Sequence, residues 1–136
     1  MKIVLDTNIV LISVPRFSKY RPIFDALLAD KLVLAISNDI LSEYQEIIAR
    51  KTNPTIANNL AELLVNLPNV EFVDTYFRWH LILADADDNK FVDCAIAANV
   101  DFIVTNDRHF QELQGVQFPQ LSVVNADELL ALLQEE

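Results

Sequence analysis

The chain has 136 residues, of which 52% are hydrophobic and 22% charged, and its formal net charge is −10 at pH 7. This length favours one domain with a sizeable core, and the composition argues against disorder and low complexity. The acidic excess argues against nucleic-acid binding through a basic surface, unless the acids are gathered around bound metal ions.

Features of a secreted or membrane-spanning protein are not expected. Asp6 interrupts the first apolar run too early for a signal peptide, and no apolar run approaches the ~18 residues that span a bilayer. The single cysteine, Cys94, cannot form an internal disulfide and suits a reducing compartment. We therefore expect a cytoplasmic protein with no membrane partner.

Short apolar runs alternate with helical patterns through the first half of the chain. The predicted elements are a strand at 3–5, a helix at 8–13, a loop at 14–19, a helix at 23–29, a strand at 32–36 and a helix from 38 to about 51. Ser37 or Asn38 is expected to cap the last of these helices.

The second half continues the alternation. The predicted elements are a helix from Pro54 that stops at Pro68, an edge strand at 70–73, a buried helix at 91–98, and a strand at 102–105. They are followed by a short helix at 110–113, a strand at 121–124 and a helix at 129–133. Asn99 is expected to end the buried helix in a left-handed conformation, and Asn125 with Glu128 resembles a capping box. Residues 76–88 show no clear pattern.

This alternation predicts an α/β protein with three layers, in which helices cover both faces of a parallel sheet of about four to five strands. We find no internal repeat, linker or second domain, so residues 1–136 are predicted to form one domain.

Several common kinds of site are excluded. Gly115 is the only glycine, whereas dinucleotide-binding and Walker loops need several. There is no CxxC pair, and His80 and His109 are isolated in the sequence, which argues against zinc. Cys94 lies within a predicted helix and is expected to be a buried structural thiol.

Two aspartates follow apolar runs that are predicted to be strands. Asp6 closes the run 3–5, and Asp107 follows the run 102–104. Carboxylates at the carboxyl ends of parallel strands lie in the crevice where open α/β sheets bind ligands. Because like charges raise each other's pKa, such a cluster is best explained by a hard divalent cation with oxygen ligands.

Two further acids lie on predicted helices. Glu43 is one turn from both Ile40 and Ile47, which places it on or near the inward face, whereas Glu46 is expected to be exposed. Asp93 has apolar helical neighbours and therefore needs a partner.

Other polar residues leave alternatives open. Asp88 and Asp107 are either ligands or helix caps. Thr7 and Asn8 either hydrogen-bond a ligand carboxylate or a phosphate, or cap a helix, and Thr105 and Asn106 could support the cluster as donors. Three aromatic residues either stack bases or make core or dimer contacts: Tyr76, Phe77 and Trp79.

Four segments, in order and suitably spaced, together resemble the PIN-domain nucleases, and within them the toxin branch of toxin–antitoxin systems related to VapC toxins. They are Ile3 to Asn8, a glutamate after the second strand, Asp85 to Ala95, and Asp101 to Arg108.

The resemblance implies a PIN fold, Mg²⁺- or Mn²⁺-dependent endoribonuclease activity, a cognate antitoxin and a homodimer. It implies an acidic cluster formed by Asp6, Glu43, Asp93 and Asp107. Asp88 fits an extra aspartate of this branch, in competition with two neighbours in the same loop, Asp85 and Asp87.

Two other functions compete with the nuclease hypothesis. The first is a non-catalytic PIN-like module that binds RNA or a protein and keeps the acids only as caps. The second is a phosphatase or phosphotransferase that forms a covalent intermediate at Asp6. The segment Asp6-Thr7-Asn8 lacks the second aspartate that would act as general acid in such a phosphatase.

Overall fold

A computed structural model describes residues 1–82, 85–117 and 119–135. Within these residues a single parallel sheet has the strand order β3-β2-β1-β4-β5. The strands are β1 Lys2–Leu5, β2 Val33–Ile36, β3 Val70–Phe72, β4 Phe102–Val104 and β5 Val123–Val124. The predicted parallel sheet is confirmed, with β3 at an edge as expected.

Helices flank this sheet and complete the three-layer α/β/α fold that the sequence predicts. The α-helices are α1 Thr7–Ser13, α2 Arg21–Leu28, α3 Asn38–Lys51, α4 Pro54–Asn66, α5 Asn89–Ala98 and α6 Ala126–Gln134. Two 3-10 helices, Ala86–Asp88 and Arg108–Gly115, precede α5 and follow β4. None of the helices in the described ranges is long and apolar enough to cross a membrane.

The strand order creates a switch point beside the central strand. From β1 the chain passes to β2 and β3 on one side, and later to β4 and β5 on the other. Leu5 pairs with Val104, so the residues that follow β1 and β4 are neighbours at the carboxyl edge of the sheet. Open α/β sheets bind ligands at such a point, because connections leave the two strands in opposite directions and open a crevice.

Local capping signals are confirmed in the structure. Ser37, and not Asn38, caps α3 by accepting a hydrogen bond from the backbone N–H of Ile40. Asn125 and Glu128 form a reciprocal capping box at α6, and Asn99 ends α5 with φ of 53°.

Several boundaries differ from the predictions by one to three residues. The segment after β4 is a 3-10 helix of eight residues, longer than the predicted helix at 110–113. The last strand is limited to Val123–Val124, and α6 begins three residues earlier than predicted, at Ala126. The unassigned stretch 76–88 contains the 3-10 helix Ala86–Asp88, and residues 83 and 84 of that stretch lie outside the described residues.

The core lies on both faces of the sheet, and α5 is its most deeply buried helix. This helix packs against β1, β2 and β4, with Phe91, Val92, Cys94 and Ala95 almost fully buried. Burial, followed by the nearby carboxylates of Glu71 and Asp93, raises the pKa of Cys94 to about 12, which fits the inert structural thiol expected from the sequence.

Candidate active site

Asp6 lies at the switch point, immediately after β1. Its side chain is buried, with a residue exposure of 6%, and its backbone N–H donates to the carbonyl of Val104 at 3.0 Å. The hydroxyl of Thr105, which follows β4, donates to Asp6 Oδ2 at 2.8 Å. The register of β1 with β4 therefore fixes the carboxylate of Asp6 in the crevice.

Glu43 reaches the same region from α3. Its Oε2 accepts a hydrogen bond from the hydroxyl of Thr7, the residue after Asp6, and its Oε1 lies 2.8 Å from the ammonium of Lys90. The inward orientation predicted for Glu43 is thus observed, and Glu46 is exposed and paired with Arg50. Burial lowers the pKa of Lys90, but the contacts with Glu43 outweigh burial and the net pKa is raised.

A third group of side chains lies beyond β4. Asp107 donates its backbone N–H to the Thr105 hydroxyl at 3.0 Å, and its Oδ1 caps the following 3-10 helix by accepting from the N–H of His109 at 2.8 Å. The Nδ1 atom of His109 lies 3.3 Å from Asp107 Oδ1 and 3.4 Å from Asp88 Oδ2. Asp88 is buried and makes no side-chain capping bond to α5.

The carboxylates of Asp6, Asp88 and Asp107 repel one another. Burial raises the pKa of Asp6, and the charges of Asp107 and Glu43 raise it further, although the hydrogen bond from Thr105 acts in the opposite direction. Burial also raises the pKa of Asp88, to about 6, helped by Asp107, Asp85 and Asp6. Such mutual repulsion in a partly desolvated crevice is relieved when a cation binds.

Asp93 has a different environment. Its Oδ1 accepts the backbone N–H of Trp79 at 3.0 Å, and the charges that act on it come from His80 and Arg78. Burial is the main cause of its raised pKa. Asp93 lines an open cavity of about 760 Å³ together with Glu43 and Lys90, so this cavity and the acidic crevice meet at Glu43.

The predicted substrate contacts are divided between buried and exposed positions. Thr7 and Thr105 are buried, and their hydroxyls donate to Glu43 and Asp6. Asn8 is exposed, and Asn106 is exposed with its Oδ1 accepting from the N–H of Ala126 at 3.1 Å.

The loop aspartates and aromatic residues also take distinct positions. Asp85 caps the 3-10 helix by accepting from the N–H of Asp87, and both are exposed. Tyr76 and Phe77 are largely exposed, and Phe77 packs edge-on against Trp79 with ring centroids 4.7 Å apart. Asp88, unlike its exposed neighbours Asp85 and Asp87, is buried, and its pKa is raised by burial and by the charges of Asp107 and Asp6 in the crevice.

Comparison with known protein families identifies the family of the chain. The family model described as PIN domain matches residues 2–109. The chain belongs to the PIN domain family. No curated protein sequence matches it.

Solved structures with the same fold cover nearly the whole chain. VapBC2 from Rickettsia felis, bound to a promoter DNA fragment, has a TM-score of 0.64 at 20% identity, over 92% of this chain and 98% of the matched one. VapBC-1 from nontypeable Haemophilus influenzae has a TM-score of 0.63 at 19% identity, over 93% and 99%. DNA-bound VapBC from Salmonella typhimurium has 0.61 at 17% identity, over 93% and 98%. These similarities establish the PIN fold.

Two contacts of this PIN domain do not follow from its sequence patterns. His109 has no histidine or cysteine neighbour at zinc-binding spacing, yet it lies against two aspartates. Asn89, the first residue of α5, anchors Ile82 through its side-chain amide. The amide oxygen accepts from the N–H of Ile82 and the amide nitrogen donates to the carbonyl of Ile82, both at 2.9 Å. The sequence signal that could have predicted the contact of His109 with Asp107 is their spacing of two residues.

Asp88 gives the metal-free PIN domain a specific pH dependence. Because its pKa is about 6 when folded and 3.8 ordinarily, the folded state binds more protons than the unfolded state between these values. The free energy of unfolding should therefore fall, by on the order of 2 kcal/mol, as pH rises from about 4 to above 6. Urea unfolding in EDTA across this range measures the change.

Asp88→Asn should reduce this pH dependence, since it removes the titrating group. Asp87→Asn is the matched control at an exposed neighbouring position and should keep the wild-type profile. Identical profiles for wild type and Asp88→Asn would contradict the expectation.

Proposed function

We propose that this PIN domain, formed by residues 1–136, is a divalent-metal-dependent endoribonuclease that hydrolyses RNA phosphodiester bonds and acts as the toxin of a toxin–antitoxin pair. One observation carries the proposal. Carboxylates from the residue after β1, from α3, from the 3-10 helix before α5 and from the segment after β4 converge at the switch point of the sheet. There burial and the charge of Asp107 raise the pKa of both Asp6 and Asp88.

The chemistry of the donor set fits Mg²⁺ or Mn²⁺. Asp6, Asp88, Asp93 and Asp107 are the proposed ligands, and hard divalent cations favour carboxylate oxygens. Three of these, Asp6, Asp88 and Asp107, interact electrostatically in the crevice, whereas Asp93 lies toward the adjoining cavity. A bound ion would lower the pKa of a water molecule and offset charge on the phosphate.

The surrounding residues are proposed to hold the acids in place. Thr105 fixes Asp6, and Thr7 fixes one oxygen of Glu43 while Lys90 pairs with the other. Glu43 is thereby oriented beside Asp6 as a catalytic residue. Defined hydrogen bonds of this kind preserve the orientation of a site without rearrangement during the reaction.

RNA is proposed to approach through the open cavity beside Glu43. Arg50, Arg78 and Lys90 line this cavity beside five carboxylates, and bound divalent cations would offset part of that negative charge as a phosphate approaches. Asn8 and Asn106 are the exposed members of the predicted substrate contacts and could donate side-chain N–H groups to phosphate oxygens.

The partners are proposed from the family resemblance and the shared fold. The similar solved structures include VapBC complexes, which supports a cognate antitoxin as a partner of this chain. We also propose a homodimer and a cytoplasmic location.

Cleavage of a mixed RNA panel tests the proposed activity. The panel contains transfer RNA, ribosomal RNA fragments and unstructured oligomers, each incubated with Mn²⁺, Mg²⁺ or EDTA. We expect cleavage with either metal and none in EDTA, because the acidic cluster needs a cation to approach a phosphate. A folded protein that neither cleaves this panel nor binds Mn²⁺ would instead favour the non-catalytic binding module.

A further inference from the structure

His109 is not one of the predicted ligands, but its side chain lies beside two of them, Asp88 and Asp107. Its backbone N–H donates to Asp107 Oδ1, which caps the 3-10 helix after β4 and sets the start of that helix. As a result its Nδ1 atom lies 3.3 Å from Asp107 Oδ1 and 3.4 Å from Asp88 Oδ2. The hydrogen bond from the His109 backbone to the Asp107 side chain therefore keeps the imidazole beside Asp107.

Asp85, which caps the 3-10 helix Ala86–Asp88, also lies close to Asp88 and His109. Three potential ligand atoms lie within 4.8 Å of one another: a carboxylate oxygen of Asp85, a carboxylate oxygen of Asp88 and an imidazole nitrogen of His109. Two separate segments, the turn before α5 and the helix after β4, thus contribute to one group. The His109 side chain is 44% exposed, so an ion can approach it from solvent.

We propose that His109 is a nitrogen ligand, through Nδ1, to the divalent ion that Asp88 holds. This inference rests on the proposed function, since it adds a ligand to the metal site of the nuclease. Mg²⁺ takes oxygen ligands almost exclusively, whereas imidazole nitrogen suits transition metals. The consequence is a stronger preference for Mn²⁺ over Mg²⁺ than carboxylates alone would produce.

Pulsed electron paramagnetic resonance of the Mn²⁺-loaded protein detects such a ligand directly. The protein is labelled with ¹⁵N only in its histidines, His80 and His109, so that hyperfine coupling reports a bound imidazole. We expect coupling in the wild type and in His80→Gln, and none in His109→Gln. His80 is a matched control because it lines the adjoining cavity.

Titration calorimetry supplies the second measurement. His109→Gln should weaken Mn²⁺ binding by about tenfold or more and change Mg²⁺ binding much less, as expected when one nitrogen ligand is lost. Mn²⁺ binding without nitrogen coupling in the wild type would overturn the role of His109 and leave the carboxylate site intact. No Mn²⁺ binding at all would overturn both this inference and the proposed metal-dependent function.

Discussion

Asp6→Asn is expected to reduce RNA cleavage by about 1,000-fold or more, a loss typical of removing one member of a catalytic group. Asp6 is the buried carboxylate at the centre of the crevice, and an amide cannot supply the negative charge that a divalent ion needs. The fold should persist, because the side-chain oxygen of the introduced asparagine can still accept the hydrogen bond from Thr105. Cleavage rates, with circular dichroism as a check on folding, measure the effect.

The metal-free variant should be at least as stable as the wild type at neutral pH. Burial and the charges of Asp107 and Glu43 disfavour ionised Asp6, so an uncharged side chain relieves that repulsion. Asp30→Asn is the control, since Asp30 is exposed before β2 and its φ of 61° suits asparagine. Undiminished cleavage by Asp6→Asn would refute the proposed site.

The same assay decides the role of Asp93. Asparagine keeps the oxygen that accepts the N–H of Trp79, so Asp93→Asn removes the charge while preserving the anchor. We expect cleavage to be lost as for Asp6→Asn, because Asp93 shares the cavity with Glu43. Normal cleavage would instead show that Asp93 has a structural role, which is to anchor the backbone of Trp79 to α5.

Asn69→Leu is expected to lower the free energy of unfolding by about 2–4 kcal/mol, because two buried carbonyls lose their donor. The side-chain amide of Asn69 donates to the carbonyl of Leu27 at 2.8 Å and to that of Leu32 at 2.7 Å. Its backbone carbonyl also accepts from the N–H of Leu34. Asn69 therefore ties α2, β2 and the start of β3 together.

Urea unfolding in EDTA measures this loss. Asn66→Leu is the matched control, since Asn66 also donates to a carbonyl, that of Glu62, but from an exposed position. The control should change stability by less than about 1 kcal/mol. Equal effects of the two substitutions would show that the buried hydrogen bonds of Asn69 contribute little.

The acidic site shows where prediction from sequence succeeds and where it cannot. Asp6 and Asp107 are placed near strand ends because one apolar run directly precedes Asp6 and another ends three residues before Asp107. The inward side of Glu43 follows from its spacing to Ile40 and Ile47. The environment of Asp93 is not predictable in this way. Its hydrogen bond comes from Trp79, and the charges that lower its pKa come from His80 and Arg78, all in a segment without a recognisable pattern.

The choice among the loop aspartates likewise required the tertiary structure. Asp85, Asp87 and Asp88 lie within four residues of one another and have the same chemistry. The 3-10 turn exposes Asp85 and Asp87 and buries Asp88 near Asp6 and Asp107. A difference of one residue in the turn would change which carboxylate enters the crevice.

Sequence patterns alone specify the alternation of strands and helices, the cap at Asn125 and the left-handed end at Asn99, and they narrow the cap of α3 to Ser37 or Asn38. These features depend on interactions between residues a few positions apart, which local patterns specify. The position of His109 against Asp88, and the bridge that Asn69 forms between two distant carbonyls, follow instead from the tertiary structure. Those contacts depend on strand order and register, which bring together segments that are distant in the sequence. The local pattern of one such segment does not indicate which other segment it will contact.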